Sequence, residues 1–155
     1  MKRYGKSLVY VGLATVFMFL RGGYEAFAGD PVVLLTEEEG AMASAPAGLI
    51  DVGAPLDTGP SIEVVKPERN ADLRSPIAII VRFVPNGKEV DLSSLKVEVL
   101  KFLKIDITKR VLPYATRQGI QAENAILPAG EHKLQVTIGD VGGGISRKVF
   151  LVKIL

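Results

Sequence analysis

Ile77-Ala-Ile-Ile-Val-Arg-Phe-Val84 and Lys133-Leu-Gln-Val-Thr-Ile-Gly139 decide how this chain folds. In the first, Ile77, Ile79, Val81 and Phe83 recur at every second residue, with Ala78, Ile80 and Arg82 between them. In the second, Leu134, Val136 and Ile138 alternate with Lys133, Gln135 and Thr137. Successive side chains of an extended chain point to opposite faces, so a period of two predicts strands with one buried face. The same reading extends outward to Leu95–Leu103, where Leu95, Val97 and Val99 alternate with Lys96, Glu98 and Leu100. Ile62–Lys66 is a short strand stopped by Pro67, and Gly119–Ala122 is another. Pro85-Asn-Gly-Lys88 is a turn, because Pro presets φ and Asn-Gly accepts positive φ. Asp140–Gly144 is a flexible hairpin loop, and Ser146–Ile154 is the last strand. Val149–Val152 is apolar at every position, so the pattern does not choose that strand's inward face.

About seven short strands, with turn signals between them and no long helix, predict an all-β antiparallel sandwich over 61–155. Ile105–Arg110 reads as one helical turn capped by Asp106 or Thr108. Val111-Leu-Pro-Tyr114 reads as an extended edge strand, since Pro113 cannot donate to an inner ladder. With no Trp and no Cys in the chain, Phe83, Phe102 and Phe150 are expected to supply the bulk of the core.

The first 28 residues read differently. Lys2, Arg3 and Lys6 precede the apolar run Ser7–Leu20, and a more polar stretch then ends in Ala26-Phe27-Ala28. A basic start, a short apolar run and a small-x-small end predict a secretory signal peptide over 1–28, cut after Ala28. The alternative is an uncleaved anchor, and either places the rest outside the cytoplasm. The run is short for the roughly 20 residues of a stable span. The formal charge of +2 is therefore misleading. Removing Lys2, Arg3, Lys6, Arg21 and Glu25 leaves a mature chain of about −1, so the electrostatic case for nucleic acid disappears.

Residues 29–60 are expected to form a mostly irregular arm and linker rich in Gly and Pro. A short helix is predicted over 37–43, because Thr36 and Glu39 fit a capping box. Val32–Leu35 is the arm's apolar patch.

Composition removes most chemistry. Without Cys there are no thiolate metal sites or nucleophiles. His132 is the only imidazole, which is expected to pack at a corner and bond a backbone carbonyl. Only Met42 and His132 remain as copper ligands, too few for a site. Asp91, Asp106 and Asp140 offer oxygens for calcium, but no Asp-x-Asp-x-Asp loop exists, and Asp140 more simply bonds its own turn. Gly142–Gly144 lacks the spacing of a phosphate loop. Ser93 and Ser94 lack a nucleophile elbow. No enzyme activity, metal or cofactor is implied.

From Ser61 onward the chain resembles bacterial immunoglobulin-like modules of exported proteins. Pro76–Phe83, Val90–Val97 and Leu127–Val136 carry the resemblance, with Asp140 and the glycines after it. Pro128, Ala129, Gly130, His132, Leu134, Val136, Asp140 and Gly143 match a recurrent corner-strand-hairpin phrase of those modules. The resemblance implies an Ig-like fold and a periplasmic or secreted, non-enzymatic module that binds or spaces another envelope or extracellular protein. The expected contact is the edge at Lys109, Arg110, Val111 and Tyr114, with Arg117 beside it. The alternative is a small-ligand or carbohydrate-binding sandwich using end loops at Asn86, Lys88 and Asp140. Membrane contact is expected only through the first segment.

Overall fold

The computed structural model describes residues 30–44 and 57–155. The expected signal segment, with its cleavage residues Ala26 and Ala28, lies outside the described residues. In chain order the elements are β1 (Val32–Val33), α1 (Glu37–Ala41), β2 (Ser61–Lys66), β3 (Asp72–Leu73), β4 (Ile77–Val84) and β5 (Val90–Leu100). There follow β6 (Lys104–Asp106), α2 (Thr108–Val111), a 3-10 turn (Leu112–Tyr114), β7 (Ala115–Thr116), β8 (Gly119–Ile126), β9 (Gly130–Asp140) and β10 (Ile145–Ile154).

The protein is mostly β, in two sheets. One runs β1-β8-β4-β2, with β7 also on β8, and the other runs β3-β10-β9-β5-β6. Their inward faces share one core. Ile77, Ile79, Val81 and Phe83 of β4, and Leu134, Val136 and Ile138 of β9, are all buried there, as the alternation requires. Leu95, Val97 and Val99 join them from β5. Gly119 opens β8 at φ +149°, with its Cα against the carbonyl of Val81, so a side chain would collide with the β4 backbone.

Four expectations are corrected. The sandwich is not purely antiparallel, because β1 runs parallel to β8 and β3 parallel to β10. Over 30–44 the arm forms the expected short helix, at Glu37–Ala41, but it also adds β1 and packs on the sandwich. Leu34 and Leu35 are each 1% exposed within the core, and their burial adds to the β1 pairing and the Arg110–Glu39 ion pair that hold the segment. Val111–Tyr114 is no strand. It is the end of α2 and a 3-10 turn, where Pro113 fits because the first helical positions need no N–H donor. Phe102 is 71% exposed and contributes nothing to the core, while Phe83 is buried and Phe150 half-buried.

Candidate functional site

The two lateral openings of the sandwich are treated differently. At the β8 side, residues 30–44 fill the gap. β1 pairs with Ala125 and Ile126, and the Leu34 amide donates to the Ile126 carbonyl at 3.0 Å. Leu34 and Leu35 then enter the core, and α1 follows. The capping box forms as its spacing requires: the Glu39 amide donates to Thr36 Oγ1 at 3.2 Å, and the Thr36 amide donates to Glu39 Oε2 at 2.9 Å.

Arg110 fastens this segment. Its two guanidinium nitrogens donate to Glu39 Oε2 and Oε1 at 2.7 and 2.8 Å, and Nη1 also donates to the Leu34 carbonyl at 2.8 Å. A planar fork matched to a carboxylate is a strong, oriented ion pair. Its hydrogen bonds hold the Glu39 carboxyl down to about 2. Arg110, expected as part of a partner-binding edge, therefore points inward to the chain's own arm.

Beneath α1 lies a buried polar corner. Lys101 is buried and its Nζ donates to the carbonyls of Gly40 at 3.0 Å and Glu131 at 3.5 Å. Burial lowers its pKa. His132 is fully buried with Nε2 2.8 Å from the Pro128 carbonyl, the kind of bond expected for it. Nδ1 has no partner. Burial lowers the His132 pKa, the Lys101 charge adds to this, and the Pro128 bond opposes it. Gly40 rests on the Pro128 ring so closely that a Cβ would strike it.

The rest of the expected contact set is dispersed. Val111 is in the core, Tyr114 is half-buried against it, and Lys109 is exposed on α2. Arg117 pairs with Glu89 at 3.3 Å. The expected ligand loops do meet at one end of the sandwich, where Val141 bonds Glu89 through the backbone and Lys88 lies over Gly142. Asp140, however, spends Oδ1 on the amides of Gly142 and Gly144, at 2.8 and 3.0 Å. Asp91 is similarly occupied by Ser93, and Asp106 by the Thr108 amide. Among the described residues no three His, Asp or Glu side chains are grouped as metal ligands, and no helix is long and apolar enough to cross a membrane.

The second opening, between β2 and β10, is not filled by any of the described residues. It is a groove of about 660 Å³, and the loop from Pro67 to Asn70 closes one end. β2 ends its sheet. β10 has β9 along one side, while among the described residues its other side pairs with Asp57 at Ser146 and with β3 at Lys153 and Ile154. The hydrogen-bond phase says which groups are left over. The Asp140 amide bonds Gly144 O across the hairpin, so the even residues of β10 bond to β9. The odd residues face away: Ile145 O accepts from the Thr58 amide, and the Leu155 amide donates to Leu73 O. Between them Val149 and Leu151 direct both backbone groups at the groove, and among the described residues no strand pairs with them. Their side chains are exposed apolar groups, 37% and 42%, as is Val65 across the groove.

Sequence reasoning missed this edge. Its one signal was the ambiguous run Val149–Val152, apolar on both faces because one face lies in the core and the other beside an unpaired edge. Comparison with known proteins adds no assignment: no family model, no curated protein and no solved structure matches the chain.

Proposed function

We propose that this chain is an exported, non-enzymatic module of Ig-like topology that binds another envelope or extracellular protein by accepting an extended segment on the β10 edge. The order β2-β4-β8 facing β10-β9-β5 supports the topology, since it matches strands A-B-E facing G-F-C. β1 then takes the place beside strand E that such domains give to strand D. The sequence of residues 1–28 supports export.

One observation carries the binding reading. Val149 and Leu151 combine exposed apolar side chains with backbone donors and acceptors that no described residue pairs, beside a groove able to hold the other face of an added strand. Natural sheets usually guard such edges with charges, bulges or covering loops. β2 is guarded by a bulge between Val64 and Lys66 and by Pro67. β10 carries Arg147, Lys148 and Lys153 and is covered at its two ends, but among the described residues nothing guards Val149 and Leu151 between them. Strand addition uses main-chain bonds for affinity and alternate side chains for specificity.

A photoreactive side chain placed at Val149, and separately at Lys109, tests this in intact envelopes. Adducts with one defined protein are expected from 149 and not from 109, and the reverse pattern contradicts the reading. Sequencing the mature N-terminus is expected to begin at Gly29; a retained Met1 on soluble protein contradicts cleavage.

A further inference from the structure

The groove also indicates the chemistry of the segment it takes, an inference resting on the strand-addition reading above. An incoming residue opposite Val149 or Leu151 places its side chain on the outer face, against those two apolar groups. A residue opposite Phe150 or Lys148 places its side chain on the groove side. Phe150 is half-buried there and asks for a small or apolar neighbour. Lys148 lines the groove, is exposed, and makes no ion pair or side-chain hydrogen bond among the described residues. The other cationic side chains of β10 differ: Lys153 pairs with Asp72 at 2.7 Å, and Arg147 has interactions of its own. Arg69, on the closing loop, is a second cation lining the groove. Two carboxylates also line the groove: Glu63, which pairs with Arg82 at 3.4 Å, and Glu68, which stands on the closing loop next to Arg69, so Lys148 is the groove's charge on the pairing strand itself.

We infer that the partner segment is a short extended stretch, apolar opposite Val149, Phe150 and Leu151, with an Asp or Glu opposite Lys148. Like charges directly opposite destabilise a strand pair, and opposite charges contribute about 0.2–1 kcal/mol, so the discrimination expected is modest, about two- to fivefold.

The test is an NMR titration of the protein with the peptide acetyl-Thr-Val-Ala-Val-Glu-Thr-amide, and with versions carrying Gln or Lys in place of Glu. The Glu peptide is expected to shift the Val149 and Leu151 amides and to bind about two- to fivefold more tightly than the Lys peptide. In Lys148→Glu the order inverts. Equal affinities of all three peptides for both proteins overturn the acidic preference and leave strand addition standing. No shift at Val149 and Leu151 with any peptide overturns both. Sedimentation is expected to show a monomer. A dimer lost in Val149→Asp makes a second copy the occupant and overturns the inference.

Discussion

The β8 side and the β10 side of this sandwich face the same physical problem, a strand edge beside an opening into the core, and meet it differently. At β8 the chain supplies its own filler: a two-residue parallel strand, two buried leucines, a capped turn and a bidentate ion pair. At β10, among the described residues, two short pieces cover the ends, and the backbone groups of Val149 and Leu151 between them are left over. The contrast teaches that an unpaired edge is not forced by the fold. Among the described residues, the chain seals one side with local segments and leaves the other unpaired at Val149 and Leu151.

The largest expected effect lies on the sealed side. Leu35→Ala removes a fully buried side chain and is expected to cost about 2–5 kcal/mol in denaturant unfolding. A loss near zero would mean the arm is not part of the core, and the two sides would no longer differ. Next comes Arg110→Ala, expected to cost about 1–3 kcal/mol by leaving Glu39 without its partner. Its pH dependence is the sharper readout. Glu39 is held at about 2 against an ordinary 4.5, so its contribution is complete above about 4.5 and is lost as pH falls through about 2. In Arg110→Ala that acid limb should flatten; an unchanged limb breaks the clasp.

The corner under α1 gives a milder effect of related sign. Folding lowers the His132 pKa below 6.5, so the unfolded chain takes the proton first. Stability from the neutral ring is therefore present above about 6.5 and declines as pH falls toward the folded value. His132→Gln, which keeps an N–H for the Pro128 carbonyl, should remove this slope, and a slope that persists in the variant refutes its assignment to His132. The smallest effect on stability is expected at the open side. Val149→Asp, on an exposed position, should change unfolding by about 0.5 kcal/mol or less while abolishing partner adducts. A large destabilisation would mean that Val149 is already packed.

How much of this was legible in sequence depends on whether one face of each element is wet. β4 and β9 alternate because one face is in the core, so their inward residues could be assigned from period alone. β10 could not be oriented, because Val149 and Leu151 are apolar on the outer face while Val152 and Ile154 are buried on the inner. The capping box at Thr36 was readable because its two bonds span three residues. The burial of Leu34 and Leu35 was not, because a four-residue apolar patch carries no period and its partners lie on strands far away in sequence. Val111–Tyr114 misled because proline suits both a strand edge and the first turn of a helix. Arg110 seemed free until its partner, 71 residues earlier, was placed beside it.

Amide hydrogen exchange along β10 tests the central contrast most directly. The Val149 and Leu151 amides should exchange rapidly, while their neighbours Phe150 and Val152, bonded to β9, and Leu34, bonded to Ile126, exchange slowly. Protection of Val149 and Leu151 equal to that of Phe150 in the isolated protein would show the edge already paired, and the account of an open acceptor would be wrong.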